Sequence, residues 1–156
     1  MSQMEVRKQA MHSKWDKRFW ELAKFVAEWS KDPNAKIGAV ITTRRGGAIA
    51  LGYNGFPIGV EDSAERLNNS KIKLDMIVHA EQNALLIAGQ AAQDADLFVW
   101  GKPVCSRCAG VIIQAGHRRV ILMDPQKAEK RSKWRVTGLR AIEMLEEAKV
   151  EIQYMG

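Results

Sequence analysis

His79-Ala80-Glu81 and, after one strand-like segment, Cys105-Ser106-Arg107-Cys108 set one imidazole, two thiols and one carboxylate at short, fixed spacings. Imidazole nitrogen and cysteine thiolate are borderline-soft donors that suit zinc, and three protein ligands leave the fourth tetrahedral position open to water. Bound Zn²⁺ lowers the pKa of that water to about 7, so hydroxide becomes available near neutral pH. A carboxylate two residues from the histidine can then shuttle protons. These side chains are the inventory of a hydrolytic zinc centre, with His79, Cys105 and Cys108 as metal ligands and Glu81 as the catalytic acid–base group.

The elements around the motif support this placement. Leu97-Phe98-Val99-Trp100, bounded by Asp94, Asp96 and Gly101, predicts a buried strand, and Cys105 to Ala115 predicts a helix. Cys105 and Cys108 then lie one turn apart at the helix start, where unpaired N–H groups and the dipole favour thiolates. Ala80 to Ala88 is apolar almost all round, as in a buried helix, and starts at His79. Two other readings of the same residues stay open. Cys-x-x-Cys between a strand and a helix is also the setting of a thioredoxin-like redox pair, which leaves His79 and Glu81 without a role. A purely structural zinc site needs a fourth ligand, and the candidates, His117 and His12, stand at unconvincing spacings.

The rest of the chain alternates helix and strand. Trp15, Phe19, Leu22, Ala23, Val26 and Ala27 share one face of a predicted first helix, opposite Lys17, Glu21, Lys24 and Glu28. Pro33 ends that region, Ile37 to Thr43 is a β-branched strand, and Arg44-Arg45-Gly46-Gly47 turns it into a hairpin with Ala48 to Tyr53. Asn54 to Asp75 is a long loop with room for one helical turn, a length that usually accompanies function. Arg119 to Met123 predicts a strand, Asp124 to Lys133 a loop, Leu139 to Lys149 an amphipathic helix and Val150 to Tyr154 a last strand. The expected fold class is therefore α/β, a three-layer α/β/α sandwich around a five-stranded mixed sheet, mixed because of the first hairpin. Ligands of such sheets bind beyond the strand ends, where both motifs begin.

At 156 residues the chain suits a single domain, 1–156, with 1–13 a flexible N-terminus. A hydrophobic content of 46% and a charged content of 27% are ordinary for a globular protein and speak against a disordered or fibrous one. Two cysteines at i, i+3 are no disulfide framework and fit metal ligation in a reducing compartment. Met1 to His12 is polar and no run approaches a membrane span, so neither a signal peptide nor a membrane partner is expected, and a cytoplasmic location follows. The net charge of +6 favours anionic ligands, either a nucleotide phosphate or a polynucleotide. The densest basic stretch, Lys127, Lys130, Arg131, Lys133 and Arg135 around Trp134, reads first as a solvated loop, because Glu129 interrupts it. A loop contacting phosphate or nucleic acid is its second reading.

H-x-E followed by C-x-x-C is the signature of zinc nucleobase deaminases. The chain resembles the cytidine deaminase superfamily from about Trp15 to Met123, and within it most resembles the deoxycytidylate (dCMP) deaminases. Beyond the zinc motif the resemblance is carried by Ser30-Lys31-Asp32-Pro33-Asn34, Lys36-Ile37-Gly38-Ala39-Val40-Ile41, Gly52-Tyr53-Asn54-Gly55-Phe56-Pro57, Glu81-Gln82-Asn83-Ala84 and Ile112-Ile113-Gln114-Ala115-Gly116. The Gly-Tyr-Asn-Gly-Phe-Pro stretch is its most dCMP-type part.

The resemblance implies Zn²⁺ on His79, Cys105 and Cys108, with Glu81 moving protons from water to N3 of cytosine and then to the departing amine. It also implies that Asn54 hydrogen-bonds the sugar 3′-hydroxyl, that the Ala80 N–H meets the base O2, and that Ile37 packs on the base. Val104 rather than proline precedes Cys105, and Trp100 stands where threonine is common, so these two residues are expected in the pocket wall. The expected activity is hydrolysis of dCMP to dUMP and ammonia by a homo-oligomer. The alternatives are a deaminase of another base or free nucleoside, and a zinc-stabilised nucleic-acid-binding module without catalysis, which would have no use for Glu81.

Overall fold

Strands rich in small and β-branched residues form the centre of the protein, for which a computed structural model describes residues 13–43 and 47–156. β1 (Gly38–Thr42) pairs antiparallel with β2 (Ala48–Tyr53) on one side and with β3 (Asp96–Trp100) on the other. β3 runs parallel to β4 (Arg119–Leu122), and β4 parallel to β5 (Glu151–Tyr154), giving the order β2-β1-β3-β4-β5. The five-stranded mixed sheet is thus as expected, and β1 is antiparallel to both of its neighbours. Among the described residues six α-helices precede or connect the strands: α1 (Lys14–Ala27), α2 (Ala64–Asn68), α3 (Ser70–Met76), α4 (Ala80–Ala88), α5 (Ser106–Gln114) and α6 (Lys133–Glu147).

The period-2 alternation of the strands assigns the layers. Val40, Phe98 and Ile121 pack with Trp20 and Ala23 of α1. Ala39, Ile41, Leu97, Val99, Val120 and Leu122 face the opposite side, with residues of α4, α5 and α6. At one end of the sheet β2 and β3 finish where β1 begins, with Tyr53, Gly38 and Trp100 in register. The functional residues collect beyond that end. At the other end Arg119 donates to Asp16 at 2.8 and 3.0 Å, to Asp96 at 2.9 Å and to Gln153 at 2.7 Å, tying α1 to the sheet.

Several expectations change. The buried stripe of α1 is Asp16, Trp20, Ala23, Val26 and Ala27, whereas Trp15 is 55% exposed, because the pairing of Asp16 with Arg119 turns the helix. The segment 54–75 is more ordered than a loop with one turn, since the side chains of Ser63 and Asn69 cap two short helices, α2 and α3. α6 starts at Lys133 rather than Leu139, with the Ser132 hydroxyl accepting from the Trp134 N–H. Gly138 lies inside it, because a Cβ there would stand 2.6 Å from Pro125 Cβ. α4 is not buried all round, as Leu86 and Ile87 are 78% and 66% exposed. Residues 1–12 of the expected flexible N-terminus, His12 included, and Arg44, Arg45 and Gly46 of the hairpin turn lie outside the described residues. Ser13 is described, as the N-cap of α1.

Candidate metal centre

The ligands sit where two helices begin. His79 is the N-cap of α4, its backbone N–H held by Gln82 Oε1 at 2.9 Å. Cys105 is the N-cap of α5, and its sulfur accepts the Cys108 N–H at 3.4 Å, as a thiolate at a helix N-terminus does. α4 is pressed against β2 at Gly52, where a Cβ would stand 2.3 Å from the Ala80 carbonyl oxygen. Asn83 donates to the Tyr53 carbonyl at 2.8 Å, and Gly55 and Val78 exchange backbone hydrogen bonds. α5 is tied to α6 through Thr137, whose hydroxyl accepts the Ser106 N–H at 2.9 Å and donates to Ser106 Oγ at 3.1 Å.

His79 Nδ1 stands 3.2 Å from Cys108 Sγ and 3.6 Å from Cys105 Sγ. All three ligand atoms lie within 4.8 Å of one another. A tetrahedral centre with bonds of about 2.0–2.3 Å separates its ligands by roughly 3.3–3.8 Å, so the set fits zinc with little movement. The electrostatics agree. A hydrogen bond from the Cys108 thiol, assisted by His79, holds Cys105 down at about 4 despite burial, while the same contact and burial push Cys108 up. The pair shares one proton that a cation would displace. The hydrogen bond with Cys105 also raises His79.

Glu81 is buried, and among the described residues its Oε1 has no hydrogen-bond partner. Burial pushes its carboxyl above the ordinary range, opposed by the charge of His79. A buried carboxylate oxygen without a partner is costly, and one beside an open metal position is available to a reacting group. His117 is also buried but stands apart from the cluster, so no fourth protein ligand comes from it.

A cleft of about 280 Å³ opens beside His79, lined by Ile37, Asn54, Lys73, Lys102, Lys133 and Trp134 among others. Ile37 and Asn54, both expected at the substrate, are among the residues that line it. Asn54, however, already accepts the Ile37 N–H at 2.9 Å and donates to the Ala35 carbonyl at 2.8 Å, so it shapes the 35–37 segment. Asp32 holds the same segment through the N–H groups of Asn34 and Ala35, and pairs with buried Lys73 of α3 at 3.0 Å. Ala80 is the first residue of α4, so its N–H has no acceptor within the helix.

Trp100 is misplaced by the sequence. It follows the alternation of β3 to the α1 side, packs against the cluster of Trp20 and Phe98, and does not line the cleft. Val104 is 1% exposed, a core residue rather than an open wall. The β3–α5 connection reaches the cleft through Lys102 instead, and α6 contributes Lys133 and Trp134. The basic stretch is therefore not wholly a solvated loop. Thr137, Asp32 and Lys73 were missed because no local spacing marks them.

The family model describing the cytidine and deoxycytidylate deaminase zinc-binding region matches residues 13–124. An uncharacterized deaminase from the luxG 3′ region of Aliivibrio fischeri is 38% identical, over 93% of this chain and 96% of that protein. Human deoxycytidylate deaminase is 33% identical, over 80% of this chain and 72% of that protein. The dCMP deaminase of cyanophage S-TIM5, solved in complex with dCMP and dUMP, shares the fold with a TM-score of 0.72 at 24% identity, covering 94% of this chain and 100% of that one.

Proposed function

The chain belongs to the cytidine and deoxycytidylate deaminase family, and from that premise we propose that it hydrolyses a cytosine nucleotide, dCMP to dUMP and ammonia. The observation that carries the proposal is Glu81, a buried carboxyl with an unpartnered oxygen two residues from a ligand of the His79, Cys105, Cys108 centre. A structural zinc site or a redox pair gives that group nothing to do.

Zinc, held by those three residues, supplies Lewis acidity and a water that ionises near neutral pH. Glu81 accepts a proton from the attacking water and passes it to N3 of the base while oxygen adds to C4. It then carries the second proton of that water from the new C4 oxygen to the amine, and the C4–N bond breaks with release of ammonia. The raised affinity of Glu81 for protons suits both transfers. Ile37 offers an apolar face to the base, and the Ala80 N–H a donor to its O2. Asn54 bounds the sugar end of the cleft. Human deoxycytidylate deaminase and the dCMP-bound phage enzyme support cytosine as the base. The protein acts as one domain in the cytoplasm, as a homo-oligomer whose contacts include the exposed Leu86 and Ile87.

Glu81→Gln tests the assignment. The substitution keeps every metal ligand, so zinc content and melting temperature should match wild type while ammonia release from dCMP falls by about 10²–10⁴. Near-normal turnover in that variant would assign the proton transfers elsewhere.

A further inference from the structure

Cys105 is held on both sides by an element that the metal motif does not include. α6 lies beyond residues 13–124, the span that matches the family's zinc-binding region. On the downstream side, the Thr137 hydroxyl of α6 accepts the Ser106 N–H at 2.9 Å and donates to Ser106 Oγ at 3.1 Å. On the upstream side, the backbone of α6 is pressed against the β3–α5 connection. A Cβ at Gly138 would stand 3.1 Å from Pro103 Cβ and 2.6 Å from Pro125 Cβ, so only glycine allows this approach. Thr137 itself does not line the cleft.

The two cysteines depend on this element to different degrees. Cys108 lies within the first turn of α5, so the helix itself fixes its place, whereas Cys105 is the N-cap and stands outside the regular helix. The Cys105–Ser106 peptide is planar, so its C=O and N–H turn together. Its C=O accepts the Ala109 N–H at 3.0 Å, and its N–H is one of the first amides of α5, which have no acceptor within the helix. Thr137 supplies that acceptor from α6. With both ends of the peptide held, the ψ of Cys105, 163°, is fixed against α5, and so is the direction in which its Cβ carries the sulfur toward His79 Nδ1. We infer that Thr137 is a positioning residue of the metal centre, which orients the Cys105 thiolate through the Ser106 N–H and so sets how tightly zinc is held. The inference rests on the zinc-dependent function above and adds to it a residue outside both the ligand set and the cleft.

The test uses the full chain, wild type and the variants Thr137→Val, Thr137→Ala, Thr137→Ser and Ile142→Val. Valine keeps the volume of Thr137 and alanine favours the helix, so the two remove the hydroxyl with opposite structural side effects. Serine keeps the hydroxyl. Ile142 is buried on the same helix and outside the ligand set, so its truncation reports lost packing alone. Competition with a chromophoric chelator gives the zinc affinity, and the cobalt-loaded protein gives the thiolate-to-cobalt charge-transfer band. Loss of a partner behind a metal ligand typically weakens binding by about 10–100-fold. Thr137→Val and Thr137→Ala should each lose that much zinc affinity and shift the charge-transfer band, while Thr137→Ser and Ile142→Val keep both as in wild type.

Wild-type zinc affinity in either variant without the hydroxyl would overturn the positioning role. So would an equal loss in Thr137→Ser, which would tie the effect to something other than the hydroxyl, or an equal loss in Ile142→Val, which would show that affinity merely follows the stability of α6. If the hydroxyl-less variants lose zinc affinity, the other two keep it, and zinc-loaded wild type yields no ammonia from dCMP, the positioning role stands and the deaminase function fails.

Discussion

At the scale of single residues, the metal centre shows how strictly chemistry constrains sequence. Two thiols and an imidazole must reach one point from two helix starts, so His-x-Glu and Cys-x-x-Cys are legible as a site before any fold is known. Asn54 shows the opposite. The family resemblance implies a direct contact with the sugar, and the structure gives this residue a duty that spacing does not reveal, since its amide holds the Ile37 N–H and the Ala35 carbonyl. Asn54→Ala leaves those buried groups unpaired, each at a cost of about 1–3 kcal/mol. We expect thermal denaturation to show a melting temperature several degrees lower, and steady-state kinetics to show a raised KM with zinc still bound. A variant with native stability and KM would mean that the amide is dispensable to the 35–37 segment.

At the scale of elements, the strands, α1, α4 and α5 were legible because their apolar periodicity and caps are local signals. The start of α6 was not, because Gly138 interrupts the helical pattern for a reason that lies in Pro125, remote from it in the helix register. Trp100 was expected in the cleft wall because the family resemblance has threonine there, whereas the alternation of β3 sends it to the face of Phe98 and Val40, against α1. The same logic gives weight to Gly52. Its missing side chain lets the first turn of α4 lie on β2, with the Ala80 carbonyl oxygen 2.3 Å from where a Cβ would stand. Gly52→Ala forces α4 outward and carries His79 with it. Elemental analysis should find substoichiometric zinc, and denaturation a loss of about 1–3 kcal/mol from overpacking. Full zinc content with unchanged stability would show that α4 and β2 have room to spare.

At the scale of the whole molecule, an apolar α4 read as wholly buried is instead half open, with Leu86 and Ile87 exposed, as is Val111 of α5 at 43%. Exposed apolar side chains of this size are where we propose that the contacts of the homo-oligomer lie. Leu86→Lys with Ile87→Lys should therefore lower the mass seen by sedimentation equilibrium, and an unchanged mass would move the contact to another face. The chain-wide excess of cations, a net +6, is consistent with an anionic substrate, and Lys102 and Lys133 bring two of them to the cleft. That the whole protein is a zinc-dependent cytosine-nucleotide deaminase is the central claim. Its most direct test incubates dCMP with the protein stripped by a chelator and again after zinc is restored, counting dUMP and ammonia. The zinc-restored protein should release one ammonia per dUMP formed and the stripped protein neither. Equal turnover with and without the metal, or zinc-restored protein that leaves dCMP intact, would contradict it.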